Sequence, residues 1–184
     1  SLEASAGRSP DLASSIPQHS LSEEEMESLM KQSADLIIEG KQQDSIPSLL
    51  SVLESDPDNA EANLVLGTLF LELGRPDQAE SFLYKAVKET GWENAIAIVN
   101  LMSTLKQNGD PSLAVEVGQS ALNAGKLSTK YQSLVSEVIG NTFLSMKDYA
   151  KASEWLFFGC MVSPDETNIA LWLQAATLTF PVEA

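Results

Sequence analysis

Two residues stand out as able to make or break covalent bonds, Cys160 and His19, and each type occurs once in 184 residues. A nucleophilic thiol needs a cation or a helix N-terminus to lower its pKa. Cys160 sits in "WLFFGCMV", 155 to 162, with no basic residue in the run, and reads as a buried structural thiol. His19 lies in a leader rich in Ser and Pro and reads as a solvated tail residue. One cysteine permits no internal disulfide. One of each is too few for a His-rich metal site, a Ser-His-Asp triad or a Cys-His pair. The run Glu23, Glu24, Glu25 suits the positive end of a helix dipole better than a metal. No catalytic residue, metal or cofactor is expected, and the chain reads as a non-enzyme.

Charge narrows the partners. There are 26 acidic residues against 11 Lys and Arg, a net charge of −15. Phosphate binding needs a basic stripe, so nucleic acid is not an expected partner. The same field repels an anionic membrane surface and speeds encounter with a basic protein segment. No apolar stretch is long enough for a membrane span. The composition, 43% hydrophobic and 20% charged, is that of a globular chain. It opens on Ser1 and shows no signal peptide, so a processed or excised piece is expected. A soluble location, intracellular or organellar, is the accompanying expectation.

The elements that must position any surface are helical. Residues 1–21 read as a flexible leader, with Leu12 and Ile16 as its apolar anchors. Helix signals begin at "SEEEMESLM", where Ser22 and Glu25 fit a capping box. From there apolar helical stretches alternate with short breaks such as "SDPDNA", "LGRPDQ", "NGDPS" and "VSPDET". This spacing predicts antiparallel helix pairs and an all-α fold.

Aligning the breaks exposes a period. Segments starting at Met26, Ala60, Ala95 and Ser133 superpose. Their eighth residues are Ser33, Gly67, Met102 and Gly140, and their eleventh Leu36, Phe70, Leu105 and Phe143. At position 15 stand Gly40, Gly74, Gly109 and Lys147. Position 20 holds Ser45, Ala79, Ala114 and Ala152. Position 24 holds Leu49, Leu83, Gly118 and Leu156. Pro57 and Pro164 fall at position 32. As a set these columns resemble the tetratricopeptide repeat family, a helix–turn–helix unit of about 34 residues. The resemblance covers residues 26 to 166. It implies a right-handed superhelical solenoid of about four repeats (26–59, 60–94, 95–132, 133–166) within a domain over 22–184. A ninth helix, 167–180, either caps the stack or opens a further repeat.

Small residues at positions 8, 20 and 27 let helices approach closely, and large ones at 7, 11 and 24 fill the space beside them. Repeat 95–132 departs from this, with Met102 for the small residue and Gly118 for the large one, so its packing is open.

The family's first helices line a concave groove through positions 2, 5, 6, 9, 12 and 13. Carried over residue by residue, the resemblance implies partner contacts at Glu61, Leu64, Val65, Thr68 and Glu72. It adds Ile96, Val99, Asn100, Leu134, Glu137, Val138 and Asn141. One known use of such a groove clamps the terminal carboxylate of chaperone tails with Lys and Arg. Here Lys31 stands alone in its repeat and no basic set surrounds Asn100 and Asn141, so no such clamp is expected. The floor is apolar with carboxylates around it, which suits an amphipathic or basic peptide. In a tight superhelix positions 5 and 12 pack on neighbouring helices, and the apolar patch is then smaller. The expected function is a scaffold that binds a peptide or helix of another protein. The second reading is a regulatory or docking module excised from a larger enzyme or multi-domain protein. Self-association through the last helix is a further binding mode.

Overall fold

The computed structural model describes residues 20–179. Among them nine helices follow one another without a strand. They are α1 (Glu23–Ile38), α2 (Gln42–Ser55), α3 (Ala60–Glu72), α4 (Pro76–Glu89), α5 (Ala95–Gln107), α6 (Pro111–Asn123), α7 (Thr129–Ser145), α8 (Tyr149–Val162) and α9 (Glu166–Thr179). The fold is an all-α helical-repeat solenoid. Consecutive helices pack as pairs, α1 on α2, α3 on α4, α5 on α6 and α7 on α8. The pairs stack through α4 on α5 and α6 on α7, and α9 packs on α8. His19, Leu12, Ile16 and Phe180 lie outside the described residues. Of the leader only Ser20 and Leu21 are described, and the Leu21 N–H donates to Ser55 Oγ at 3.0 Å.

Local chemistry starts and stops the helices. Ser22 and Glu25 make a reciprocal capping box, with Ser22 N–H donating to Glu25 Oε2 at 2.8 Å and Glu25 N–H to Ser22 Oγ at 3.3 Å. Asn59 and Asn94 cap α3 and α5 by accepting from Ala62 and Ala97 N–H, each at 3.0 Å. Pro76 and Pro111 open α4 and α6, where the missing N–H costs nothing. The first three helix pairs turn through Gly40, Gly74 and Gly109 at φ of 77°, 70° and 92°.

The core runs along the stack, with Leu66, Leu83, Ile98, Leu101, Ile139 and Leu156 almost wholly buried. Ala79, Ala86, Ala114, Ala121 and Ala152 are fully buried between helices. The spacing predicts position 8 against position 20, but the leucine at position 24 is the nearer neighbour. A methyl group on Gly67 would sit 2.6 Å from Leu83 Cγ, and one on Gly140 2.6 Å from Leu156 Cγ. Positions 20 and 24 are one helical turn apart, so both reach the crossing.

The irregular third repeat has a simple physical account. A methyl group on Gly118 would sit 2.6 Å from Met102 Cε and 2.8 Å from Ile139 Cγ1. Large and small residues have exchanged helices at the same crossing, and Met102 is 1% exposed. The space is filled from α5 instead of α6.

Candidate protein-binding surface

The first helices of successive pairs stand side by side, α3 against α5 and α5 against α7. A hydrogen bond ties the first two across the surface, with Asn100 Nδ2 donating to Thr68 Oγ1 at 2.9 Å. Asn100 Oδ1 and the Asn141 amide carry no hydrogen bond among the described residues.

The twelve expected contact residues divide by burial. Glu61, Glu72, Ile96 and Leu134 are exposed. Leu64, Val65, Thr68, Val99, Asn100, Glu137, Val138 and Asn141 are half-buried. Leu64, Val65, Val99 and Val138 pack their inner sides on the core, as do Leu71 and Leu144. The apolar floor is therefore mostly the flank of the core. Its freely exposed side chains are Ile96 at 59% and Leu134 at 38%.

Carboxylates frame this floor. Glu61, Glu72 and Glu137 form no ion pair among the described residues, whose four pairs lie elsewhere. Glu137 lines a small cavity of about 170 Å³ with Lys130, Ser133, Asp165 and Asn168. Burial, and then the Asp165 carboxylate, push its carboxyl above the ordinary glutamate range. Asp165 is held in place as the residue before α9. Its Oδ1 accepts from Asn168 N–H at 2.8 Å and its Oδ2 from Asn168 Nδ2 at 3.0 Å. The same amide also donates to Ser133 Oγ at 2.8 Å, tying α9 to α7.

Cys160 is buried, and burial, then Asp165, push its thiol up. That is the reverse of what a nucleophile needs. Among the described residues no group of three or more His, Cys, Asp or Glu is placed to hold a metal ion, and no helix is long and apolar enough to cross a membrane. Trp92, in the loop before α5 at φ 69°, packs on the core.

Sequence reasoning missed a cleft of about 620 Å³ on the other side of the stack. Leu113 and Val117 of α6 and Tyr84 of α4 line it, together with Asp77, Glu80 and Lys85. Tyr84 and Leu113 lie outside the periodic columns, which was the one available signal. Also missed was the exposure of Phe157 and Met161 on α8, at 45% and 67%. A wholly apolar run such as 155–162 shows no outer face in the sequence.

Paired antiparallel helices, small residues at the crossings and first helices in a row define a helical-repeat scaffold of the protein-interaction kind. The family model described as tetratricopeptide repeat matches residues 36–91, about a third of the chain and inside the region whose columns resemble that family. Solved structures show the same fold along most of the chain. A MamA protein is 22% identical with a TM-score of 0.69, covering 85% of this chain and 88% of that one. PilF of Pseudomonas aeruginosa is 22% identical at 0.66, covering 85% and 68%. A tetratricopeptide repeat protein from Parabacteroides merdae is 16% identical at 0.71, covering 84% and 59%. No curated protein gives a significant match.

Proposed function

We propose that the surface made by α3, α5 and α7 holds a segment of another protein in which apolar side chains alternate with basic ones. The observation that supports this most directly is the pairing of exposed Ile96 and Leu134 with three carboxylates that lack an internal partner. Apolar contact on Ile96 and Leu134 supplies affinity, and Glu61, Glu72 and Glu137 select basic flanks. Asn100 through its Oδ1, its Nδ2 being held by Thr68, and Asn141 through its side-chain amide fix the segment's backbone. None of the twelve contact residues is Lys or Arg, so this reading includes no clamp for a terminal carboxylate.

The test is crosslinking and affinity capture from the native source, with two surface variants. Glu61→Lys with Glu72→Lys removes the charge, and Ile96→Ser with Leu134→Ser removes the apolar floor. Each pair should weaken capture of the same partner about tenfold, equivalent to about 1.4 kcal/mol. Binding should also fall as salt rises. Undiminished capture by both variants would place the interface elsewhere.

A further inference from the structure

The cleft between α4 and α6 has no part in the first-helix surface. Its volume is about 620 Å³, and its floor is Leu101 and Leu105 of α5, 1% and 2% exposed. Its walls leave apolar surface in solvent, with Tyr84 58% and Leu113 43% exposed. Such a patch marks a contact surface. The charges along it are unequally engaged. Lys85 Nζ donates to Pro57 O at 3.1 Å, and Glu80 Oε2 accepts from Asn108 Nδ2 at 2.6 Å. Asp77 forms no ion pair among the described residues.

The described chain begins beside this cleft. The Leu21 N–H is held by Ser55 Oγ, at the C-terminal end of α2. Pro57, just after that end, accepts from Lys85, which lines the cleft. Residues 1–19 lie outside the described residues. Upstream of Leu21, at intervals of four, the sequence places Ile16, Leu12 and Arg8. In an extended segment that interval puts all three on one face. Pro10 and Pro17 bias the residues before them to extended backbone. Extended chain takes Ile16 up to about 17 Å from Leu21, and Leu12 up to about 30 Å. We propose that the cleft seats this segment of the chain itself, residues 8–16. Ile16 lies on the approach past Pro57, Leu12 between Tyr84 and Leu113, and the Arg8 guanidinium on Asp77.

Reach and charge select this occupant. A segment tethered within reach of its site has an effective concentration in the millimolar range, about which a separate partner must compete. The order of side chains also matches the order of the cleft. A segment arriving from the Lys85 end brings Leu12 to the apolar walls first and Arg8 to Asp77 after. Along α4, Lys85 and Asp77 are about 12 Å apart, and four extended residues from Leu12 to Arg8 span about 13 Å. Arg8 is the sole Lys or Arg before Lys31, and it falls where the free carboxylate is. Asp11, next to Leu12, turns to the opposite face of the segment and stays in solvent.

Trypsin on the full chain tests the assignment, because Arg8 is the first residue after which it can cut. Mass spectrometry follows the Arg8–Ser9 bond. Cleavage there should be at least tenfold slower in the parent than in Leu12→Asp, which lies outside the helices and should retain the helical circular dichroism. Leu113→Asp, in the cleft wall, should accelerate the cut by a similar factor. Should that variant misfold, paired cysteines decide. Under oxidation Leu12→Cys with Leu113→Cys should close into a product of one chain mass. It should do so at least tenfold faster than Leu12→Cys with Ile96→Cys on the first-helix surface; Cys160 is buried and a poor competitor. Equal cleavage of parent and Leu12→Asp would overturn the proposal. So would closure onto Ile96→Cys at an equal or greater rate, or a Leu12→Cys, Leu113→Cys product of two chain masses.

Discussion

Lys147 shows how much one backbone angle decides. It ends α7 at φ 62°, where the three preceding helix pairs use glycine. Its N–H donates to Leu144 O at 3.0 Å and the Asp148 N–H to Phe143 O at 3.0 Å. The same pattern runs from Gly74 and Arg75 to Leu71 and Phe70. Nothing lies within 4 Å of a methyl group built on Gly40, Gly74 or Gly109. Glycine is thus required there by the angle and not by space. A left-handed non-glycine residue costs about 1–2 kcal/mol. Lys147→Gly should therefore stabilise the fold by about 0.5–1 kcal/mol after the extra freedom of the unfolded chain is subtracted. Urea unfolding reads the change directly, and an unaltered or lower midpoint would contradict it.

Glu137 is the residue whose charge is least welcome. Its carboxyl is raised by burial and by Asp165, so the folded chain binds its proton more tightly than the unfolded one. The folded state therefore gains on the unfolded as pH falls through the raised value, and loses again as pH rises past it. Glu137→Gln should flatten that part of the stability profile and slightly raise the melting temperature at neutral pH. A profile unchanged from the parent would show that the carboxyl titrates normally. A bound basic segment would reverse the preference by favouring the charged form.

At the scale of elements the third helix pair is the instructive one. Met102 on α5 and Gly118 on α6 exchange the large and small roles held by Gly67 with Leu83 and by Gly140 with Leu156. Each half of the exchange is harmful alone. Gly118→Leu forces a side chain against Met102 and Ile139, which costs about 1–3 kcal/mol. Met102→Gly empties a buried site, with a loss of about 2–5 kcal/mol. Combined, they should recover about 0.5–3 kcal/mol of the summed loss. A double-mutant cycle in denaturant measures this coupling, and simple additivity would mean that the two positions do not share a crossing.

Over the whole molecule, charge and apolarity are sorted into regions. Carboxylates surround the row of first helices, and the stretches 155–162 of α8 and 167–179 of α9 carry none. Capture of a basic segment should therefore weaken as salt rises, which a salt titration of the capture measures.

The fold was legible before any coordinates because repeats write it several times over. A column of Gly67, Met102 and Gly140, or of Ala79, Ala114 and Ala152, carries the same constraint at every copy, so even a degenerate repeat is placed by its neighbours. The contact surface was legible only in part. The periodicity puts Leu64 and Val99 on the row of first helices, and the resemblance marks them as contacts. How much of each remains exposed depends on how closely α3, α5 and α7 approach, a distance between helices far apart in the sequence. The same dependence hid the outer face of α8, where Phe157 and Phe158 look alike in an apolar run. The Phe157 ring lies beside Trp172 and the Phe158 ring beside Trp155.

The sequence by itself determined the helices, their order and the small residues at their crossings, because each rests on local propensity, caps and a repeated period. Only the tertiary structure decided that Leu64 is half core, that Met102 fills the space over Gly118 and that Met161 and Leu173 stand in solvent. Those are facts about packing, and packing is set by neighbours that the chain brings together only when it folds.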